Sequence, residues 1–250
     1  MPALIDSFLF IEPQKHYLEY GSKVLHDIIN ENRQADQIIT ELIGDNANPE
    51  RIKQELSKYP ICVAGIGHGN VSTYTVECTT VLVTTESPEL ALFKDKIISL
   101  CSCLTAVNLG PAIINAGAVA YTGYKEEFWF FIGDDPGTTR AVRSPFLPEF
   151  QFIASLLKRK STGDARQDQI NRYDEEINYW TSGDGKNNPN ATELARINEM
   201  NKNNSVFLGQ DSVVPSPSPT VLASGVSPLF VLAIAFIAVS TAIYRQAKTK

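Results

Sequence analysis

The 250-residue sequence predicts an α/β domain built on a mostly parallel sheet. Three observations carry that reading. Short β-rich runs stop abruptly at glycine or polar residues, as in Ile61–Ile66 before Gly67 and Ile97–Cys103 before Leu104; such runs read as strands buried on both faces. Helical patterns separate them, in the order strand, helix, candidate strand, helix, strand. With 43% hydrophobic residues, the chain also has ample material for a core.

Residues 3–11 (ALIDSFLFI) are apolar and β-prone, the first strand. They lack the basic start and small-residue cleavage site of a signal peptide. From Tyr17 to Asn30, the residues Tyr17, Tyr20, Val24, Leu25, Ile28 and Ile29 recur at helical spacing. Ile38–Ile43 is compatible with a strand or with continued helix. Asn48-Pro49-Glu50 opens a helix with a capping candidate, proline at the first position and an early acid. Pro60 closes it just before the strand that leads to Gly67-His68-Gly69. Thr73–Thr85 alternates and reads as a hairpin or an extended excursion, and Pro88–Lys96 as a short connector or helical turn. Pro111 and Gly117 bracket a short helix expected to follow Cys103 directly. Ala118–Tyr121 is a further strand, and Phe128–Ile132 a candidate one. Helices are expected over Phe146–Lys160 and Asp164–Trp180, the latter with Ile170, Tyr173, Ile177 and Trp180 inward. A third begins at Asn190, where Glu193 completes a capping-box pattern. Ser205–Gly209 closes the domain as a last strand.

After residue 209 the composition changes. Residues 210–225 form a Pro/Ser-rich linker without core-forming side chains. Residues 226–244 carry no charge and are almost wholly apolar; as a helix they extend roughly 28 Å, enough to cross a bilayer. Residues 245–250 are a basic tail. That tail places the C-terminus inside and the domain outside. The absence of an export signal argues the other way, for a cytosolic, tail-anchored domain. Sequons at Asn190 and Asn203 are compatible with the external arrangement, and a third begins at Asn70.

A formal charge of −6 and a lone basic triplet, Lys158-Arg159-Lys160, argue against nucleic acid as a partner. Four cysteines are too few for a disulfide scaffold, and Cys62, Cys78, Cys101 and Cys103 lack zinc-site spacing. Cys62 reads as a small buried hydrophobe. His16 and His26 lie on or near a helix face and read as surface or packing residues.

His68 and the cysteines near position 103 lie at the carboxyl ends of two strands, where open α/β sheets place their ligands. A thiol and an imidazole meeting there are the parts of a cysteine nucleophile and its acid–base partner. Strand period puts Cys101 and Cys103 on one face. Cys103, nearer the strand end and the next helix, is the expected nucleophile, and Cys101 the alternative. The glycines around His68 allow close approach of a substrate, and the Gly69 N–H is a candidate oxyanion donor.

Gly67-His68-Gly69 after a strand resembles the His-Gly motif of the caspase-like (clan CD) cysteine peptidases. Ser102–Ala106, Leu109-Gly110-Pro111 and Gly117–Tyr124 resemble the nucleophile block of the gingipain-like branch, and Asn203–Gly209 resembles its last strand. The resemblance covers most of residues 3–209. It implies a caspase-like three-layer sandwich over residues 1–209 and a His68/Cys103 dyad that hydrolyses peptide bonds. The N–H groups of Gly69 and Cys103 would hold the oxyanion, and a protein or peptide would be the substrate. No cofactor or metal is required; calcium is compatible with the family, but no feature of the sequence points to it. Ala106 stands where relatives often carry glycine, and Ser102 departs from the residues many have before the cysteine. Those departures ground the rival reading, an inactive caspase-like scaffold. Glu126, Glu127, Asp134 and Asp135 are candidates for a pocket that accepts a basic side chain, or simply a solvated turn.

Overall fold

The computed structural model describes residues 6–15, 17–133 and 139–215. The expected membrane helix (226–244), most of the linker, His16, Asp134 and Asp135 lie outside them. Among the described residues, no helix is long and apolar enough to cross a membrane.

Strand β1 (Ser7–Glu12) is followed by helix α1 (Leu18–Asn32), strand β2 (Ile38–Ile43), helix α2 (Pro49–Leu56) and strand β3 (Cys62–Ile66). The ambiguous segment 38–43 is thus a strand, paired in parallel with β1 from Ser7↔Ile38 to Glu12↔Ile43. α2 begins as its sequence requires: Asn48 Oδ1 accepts the Arg51 N–H at 3.0 Å, and Pro49 occupies the first turn. Three antiparallel strands follow, β4 (His68–Asn70), β5 (Thr73–Glu77) and β6 (Thr80–Thr84), as a separate small sheet. The chain then passes through a 3₁₀ segment (Pro88–Phe93), strand β7 (Ile97–Cys101), helix α3 (Leu109–Asn115) and strand β8 (Ala120–Tyr124). Helices α4 (Arg140–Arg143), α5 (Phe146–Leu157), α6 (Thr162–Thr181) and α7 (Ala191–Asn204) lead to strand β9 (Ser205–Gly209).

The main sheet has the order β2-β1-β3-β7-β8-β9, parallel throughout except for β9, which runs antiparallel to β8. Alternation along the strands divides the interior into two cores. Phe8, Phe10, Ala64, Ile66, Ile97, Cys101 and Tyr124 pack against α1 and α5. Leu9, Ile11, Val63, Ile98, Leu100 and Tyr121 pack against α2, α3 and the β4–β6 sheet. The central sheet is therefore covered on both faces, the arrangement that its nearly continuous apolar strands demand.

Four sequence expectations are corrected. Phe128–Ile132 is not a strand. Asn201 occupies the pairing position, donating to Trp129 O at 2.7 Å and accepting the Trp129 N–H at 2.9 Å. Phe128 and Phe130 each pack on Phe146, with ring centroids 5.4 Å apart. The buried face of α6 carries Ala165, Gln169, Tyr173, Glu176 and Trp180, leaving Ile170 and Ile177 half-buried. Glu176 faces inward because Arg140 Nη2 donates to Oε1 at 2.5 Å and Ser144 Oγ to Oε2 at 2.9 Å. At Asn190 the capping box does not form; Asn188 Oδ1 accepts the Asn190 N–H instead. Last, α3 does not follow Cys103 directly, because residues 103–108 form turns. Pro111 nevertheless lies in its first turn, and Gly117, with φ of +104°, follows its end as expected.

Candidate active site

Gly67 joins β3 to β4, and its N–H donates to Cys101 O at 3.1 Å, tying the end of one central strand to the next. A Cβ there would lie 2.4 Å from Thr75 O, so the residue must be glycine. His68 begins β4, opposite Thr75 of β5, and is half-buried. The β5–β6 turn brings exposed Cys78 to it, with Sγ 3.6 Å from His68 Nε2. Sequence reading gave Cys78 no role. Its approach depends on hairpin register, which no local pattern reveals.

β7 ends at Cys101, and the next residues are held by an unusual backbone. Leu104 has φ of 61°, the left-handed region that non-glycine residues seldom occupy. Its N–H donates to Glu126 O at 3.0 Å, and that of Ala106 to Tyr124 O at 2.9 Å, so the segment after β8 fixes the turn. Buried Tyr121 donates to Thr105 Oγ1 at 2.8 Å, and Thr105 Oγ1 donates to Ser102 O at 3.2 Å. On the other side, the N–H groups of Asn108 and Leu109 both donate to Val71 O, at 3.1 and 3.0 Å. A backbone this constrained beside a thiol marks a site where geometry is being held.

The His-bearing strand and the Cys-bearing turn touch at Gly69. A Cβ added there would lie 2.4 Å from Ser102 Oγ, 2.6 Å from Thr105 Cγ2 and 2.8 Å from Cys103 O. Gly69 and Cys103, two of the sequence-derived site residues, are therefore in close backbone proximity. Ser102 is buried, and its Oγ has no hydrogen-bond partner. Ala106 is buried in the second core, where its methyl group packs.

The cysteines occupy different environments. Cys62 and Cys101 are buried, and burial pushes both thiols up; at Cys101 the nearby Glu149 carboxyl adds to the effect. Cys103 is half-buried beyond the strand end. Burial raises its thiol as well, the Phe128 N–H partly offsets this, and the Glu127 carboxylate raises it further. α3 begins only at Leu109, six residues beyond Cys103. Glu126 and Glu127 are exposed.

Beneath Cys101 lies a buried polar network. Tyr124 donates to Glu149 Oε2, which also accepts from Gln169 Nε2 at 3.1 Å, and the Tyr124 and Tyr173 hydroxyls are 2.7 Å apart. Burial pushes Glu149 up to about 7. Among the described residues, one group of three side chains has metal-ligating character: Glu12, His26 and Glu41.

No known family profile matches the chain, and no curated protein matches it. Solved structures do. The crystal structure of the Arg-specific cysteine proteinase gingipain R aligns with a TM-score of 0.54 at 10% identity, covering 86% of this chain and 48% of its own. The complex of the Porphyromonas gingivalis RgpB pro- and mature domains aligns at 0.52 and 10% identity, covering 85% and 48%. A secreted C11 cysteine protease from Bacteroides thetaiotaomicron gives 0.40 at 13% identity, covering 90% and 96%. The chain spans about half the length of the two gingipain chains. It shares their α/β fold with a mostly parallel central sheet, and the resemblance read from the sequence is met at that level.

Proposed function

We propose that this chain is a membrane-anchored cysteine endopeptidase. Cys103 Sγ attacks the carbonyl carbon of a peptide bond and forms a tetrahedral intermediate whose oxyanion is held by the N–H groups of Gly69 and Cys103. His68 passes the proton from the thiol to the leaving amine as the C–N bond breaks, leaving an acyl-thioester on Cys103. Water, deprotonated by His68, then releases the acid and restores the thiol. The observation that carries this reading is the contact of the Gly69 backbone with the Cys103 turn in a fold shared with cysteine proteinases. The segment at 226–244 anchors the domain, which stands outside the membrane on its Pro/Ser stalk.

The raised Cys103 thiol supports the second reading, an inactive scaffold held at the membrane. Covalent labelling decides between them. The full chain in detergent micelles is treated with acyloxymethyl ketone probes bearing Arg, Lys, Asp or Asn at the specificity position, beside Cys103→Ala and Cys101→Ala variants. Labelling lost in Cys103→Ala and kept in Cys101→Ala is expected. Loss only in Cys101→Ala would identify the other thiol. A folded chain that accepts no probe, with or without calcium, would favour the scaffold.

A further inference from the structure

A second constellation lies at the carboxyl ends of β1 and β2, built from residues the peptidase reading does not use. Glu12 ends β1, two residues after Phe10, so the two side chains share the face that α1 covers. Glu41 of β2 pairs with Phe10 and projects from that same face. From above, α1 contributes Glu19, Lys23 and His26, whose spacing of four and three residues puts them on one side of the helix. Glu12, Glu19, Lys23 and His26 border a cavity of about 440 Å³.

His26 Nδ1 is 2.6 Å from Glu41 Oε1 and 3.8 Å from Glu12 Oε2, and one donor atom from each of the three residues lies within 4.8 Å of the others. The His26–Glu41 contact occupies one carboxylate, and Glu12 lies buried beside it. Glu12 is only 1% exposed, and its Oε1 has no hydrogen-bond partner; Glu19 Oε2 is likewise buried and unpartnered. Burial and the neighbouring Glu41 carboxylate push Glu12 up to about 9, so the buried pair keeps a proton at neutral pH that a bound cation would displace. A cation between Glu12 and Glu41 would remove the repulsion that the shared proton now relieves.

We propose that Glu12, Glu41 and His26 bind one divalent ion of borderline softness, of the zinc class. Two carboxylates and a neutral imidazole match its charge and its preferred donors. Metal–ligand distances of about 2.0–2.2 Å set donor atoms roughly 3.4 Å apart, so the His26–Glu41 contact opens by under about 1 Å while the longer separations close. The cavity leaves a fourth position for water. Calcium would need six or more oxygen ligands, and an imidazole is not among its usual donors. The far side of the ring is already in place, with His26 Nε2 3.0 Å from the Asn30 amide. With Nδ1 on the ion, Nε2 carries the proton, and Asn30 turned about accepts it, which orients the ligand. Such an ion clamps α1 to the two strands beneath it.

The test uses the full chain in detergent micelles, stripped with EDTA and titrated separately with ZnCl₂ and CaCl₂ by calorimetry and thermal melts. One Zn²⁺ per chain with a raised melting temperature is expected, and no comparable response to Ca²⁺. His26→Asn and Glu12→Gln should each weaken Zn²⁺ at least tenfold, whereas His68→Asn should bind as the parent does. Both informative changes are mild for the fold: His26 is partly exposed, and glutamine fills the space of Glu12 without a charge. Undiminished Zn²⁺ binding in both variants, loss in His68→Asn instead, or an equal Ca²⁺ response would overturn the proposal.

Discussion

Gly69→Ala isolates the contact on which the peptidase reading depends. Gly69 is not in the left-handed region, so the effect of the change is one of space. The new methyl would sit 2.4 Å from Ser102 Oγ, 2.6 Å from Thr105 Cγ2 and 2.8 Å from Cys103 O. Two of these are side-chain atoms, but the third is backbone of the proposed nucleophile. Restoring an ordinary separation of about 3.4 Å moves that carbonyl by roughly 0.6 Å. Overpacking of this kind costs about 1–3 kcal/mol, against a gain of about 0.4–1 kcal/mol from the stiffer unfolded chain. The variant should therefore fold with a loss of about 1–2 kcal/mol in urea melts. Catalytic geometry is less forgiving, since a displacement near 1 Å costs about a hundredfold in rate. Probe labelling of Cys103, followed by intact mass, should slow about ten- to a hundredfold. Adding Ser102→Gly removes the nearest clash and should recover part of the stability while leaving labelling slow, because the Cys103 carbonyl remains crowded. A folded Gly69→Ala protein labelled within twofold of the parent rate would refute the reasoning.

Glu127→Gln removes a charge that raises the Cys103 thiol, so labelling at pH 7 should accelerate and its pH profile move to lower pH; an unchanged profile would show that the carboxylate does not act on the sulfur. Glu149→Gln tests the buried network. With Glu149 held near 7 against a usual 4.5, the folded chain binds the extra proton and its stability falls as pH rises between those values. The variant lacks that slope, so its stability relative to the parent should increase by up to about 3 kcal/mol between pH 4 and pH 8; equal pH dependence in urea melts would count against a raised Glu149. At Gly21 the usual helix gain from alanine, about 1 kcal/mol, should reverse sign. A Cβ there lies 2.1 Å from Ile66 Cδ1 and 2.8 Å from the Phe146 ring, so Gly21→Ala should lower stability by about 1–3 kcal/mol, and a stabilised variant would show that this contact gives way easily.

Much of the architecture was legible because its strands are short, apolar and bounded. Ile61–Ile66 and Ile97–Cys103 read as central strands on composition alone, the second ending two residues earlier in the structure, and Asn48-Pro49 announced its helix through a cap that the structure forms. What escaped depends on partners distant in sequence. Phe128–Ile132 has strand composition, but Asn201, from a helix 72 residues on, takes the place of a neighbouring strand. The inward face of α6 was misread because Gln169 and Glu176 count as polar until Glu149, Arg140 and Ser144 are known to meet them. His26, read as a surface or packing residue, is partly exposed, but its contacts with Glu12 and Glu41 were hidden because neither lies at a spacing that links it to the helix.

The two cysteines at the end of β7 show where pattern stops and geometry begins. Strand period put them on one face, and both do pack towards the core shared with α1 and α5. Their difference arises over two residues: Cys101 is still within the ladder, whereas Cys103 has left it for a turn that Leu104, in the left-handed region, bends away from the strand. Leu104 N–H and Ala106 N–H are then satisfied by carbonyls of the segment after Tyr124 rather than by a following helix. That route places Cys103 beside Glu127 and the Gly69 backbone and withholds the helix N-terminus that would have lowered its thiol. On the proposed peptidase reading, Cys103 is positioned before it is ionised. Bound substrate, by shifting solvent and the Glu127 carboxylate, would then supply the last step of activation, so labelling by small thiol reagents should be slow where labelling by peptide-bearing probes is fast.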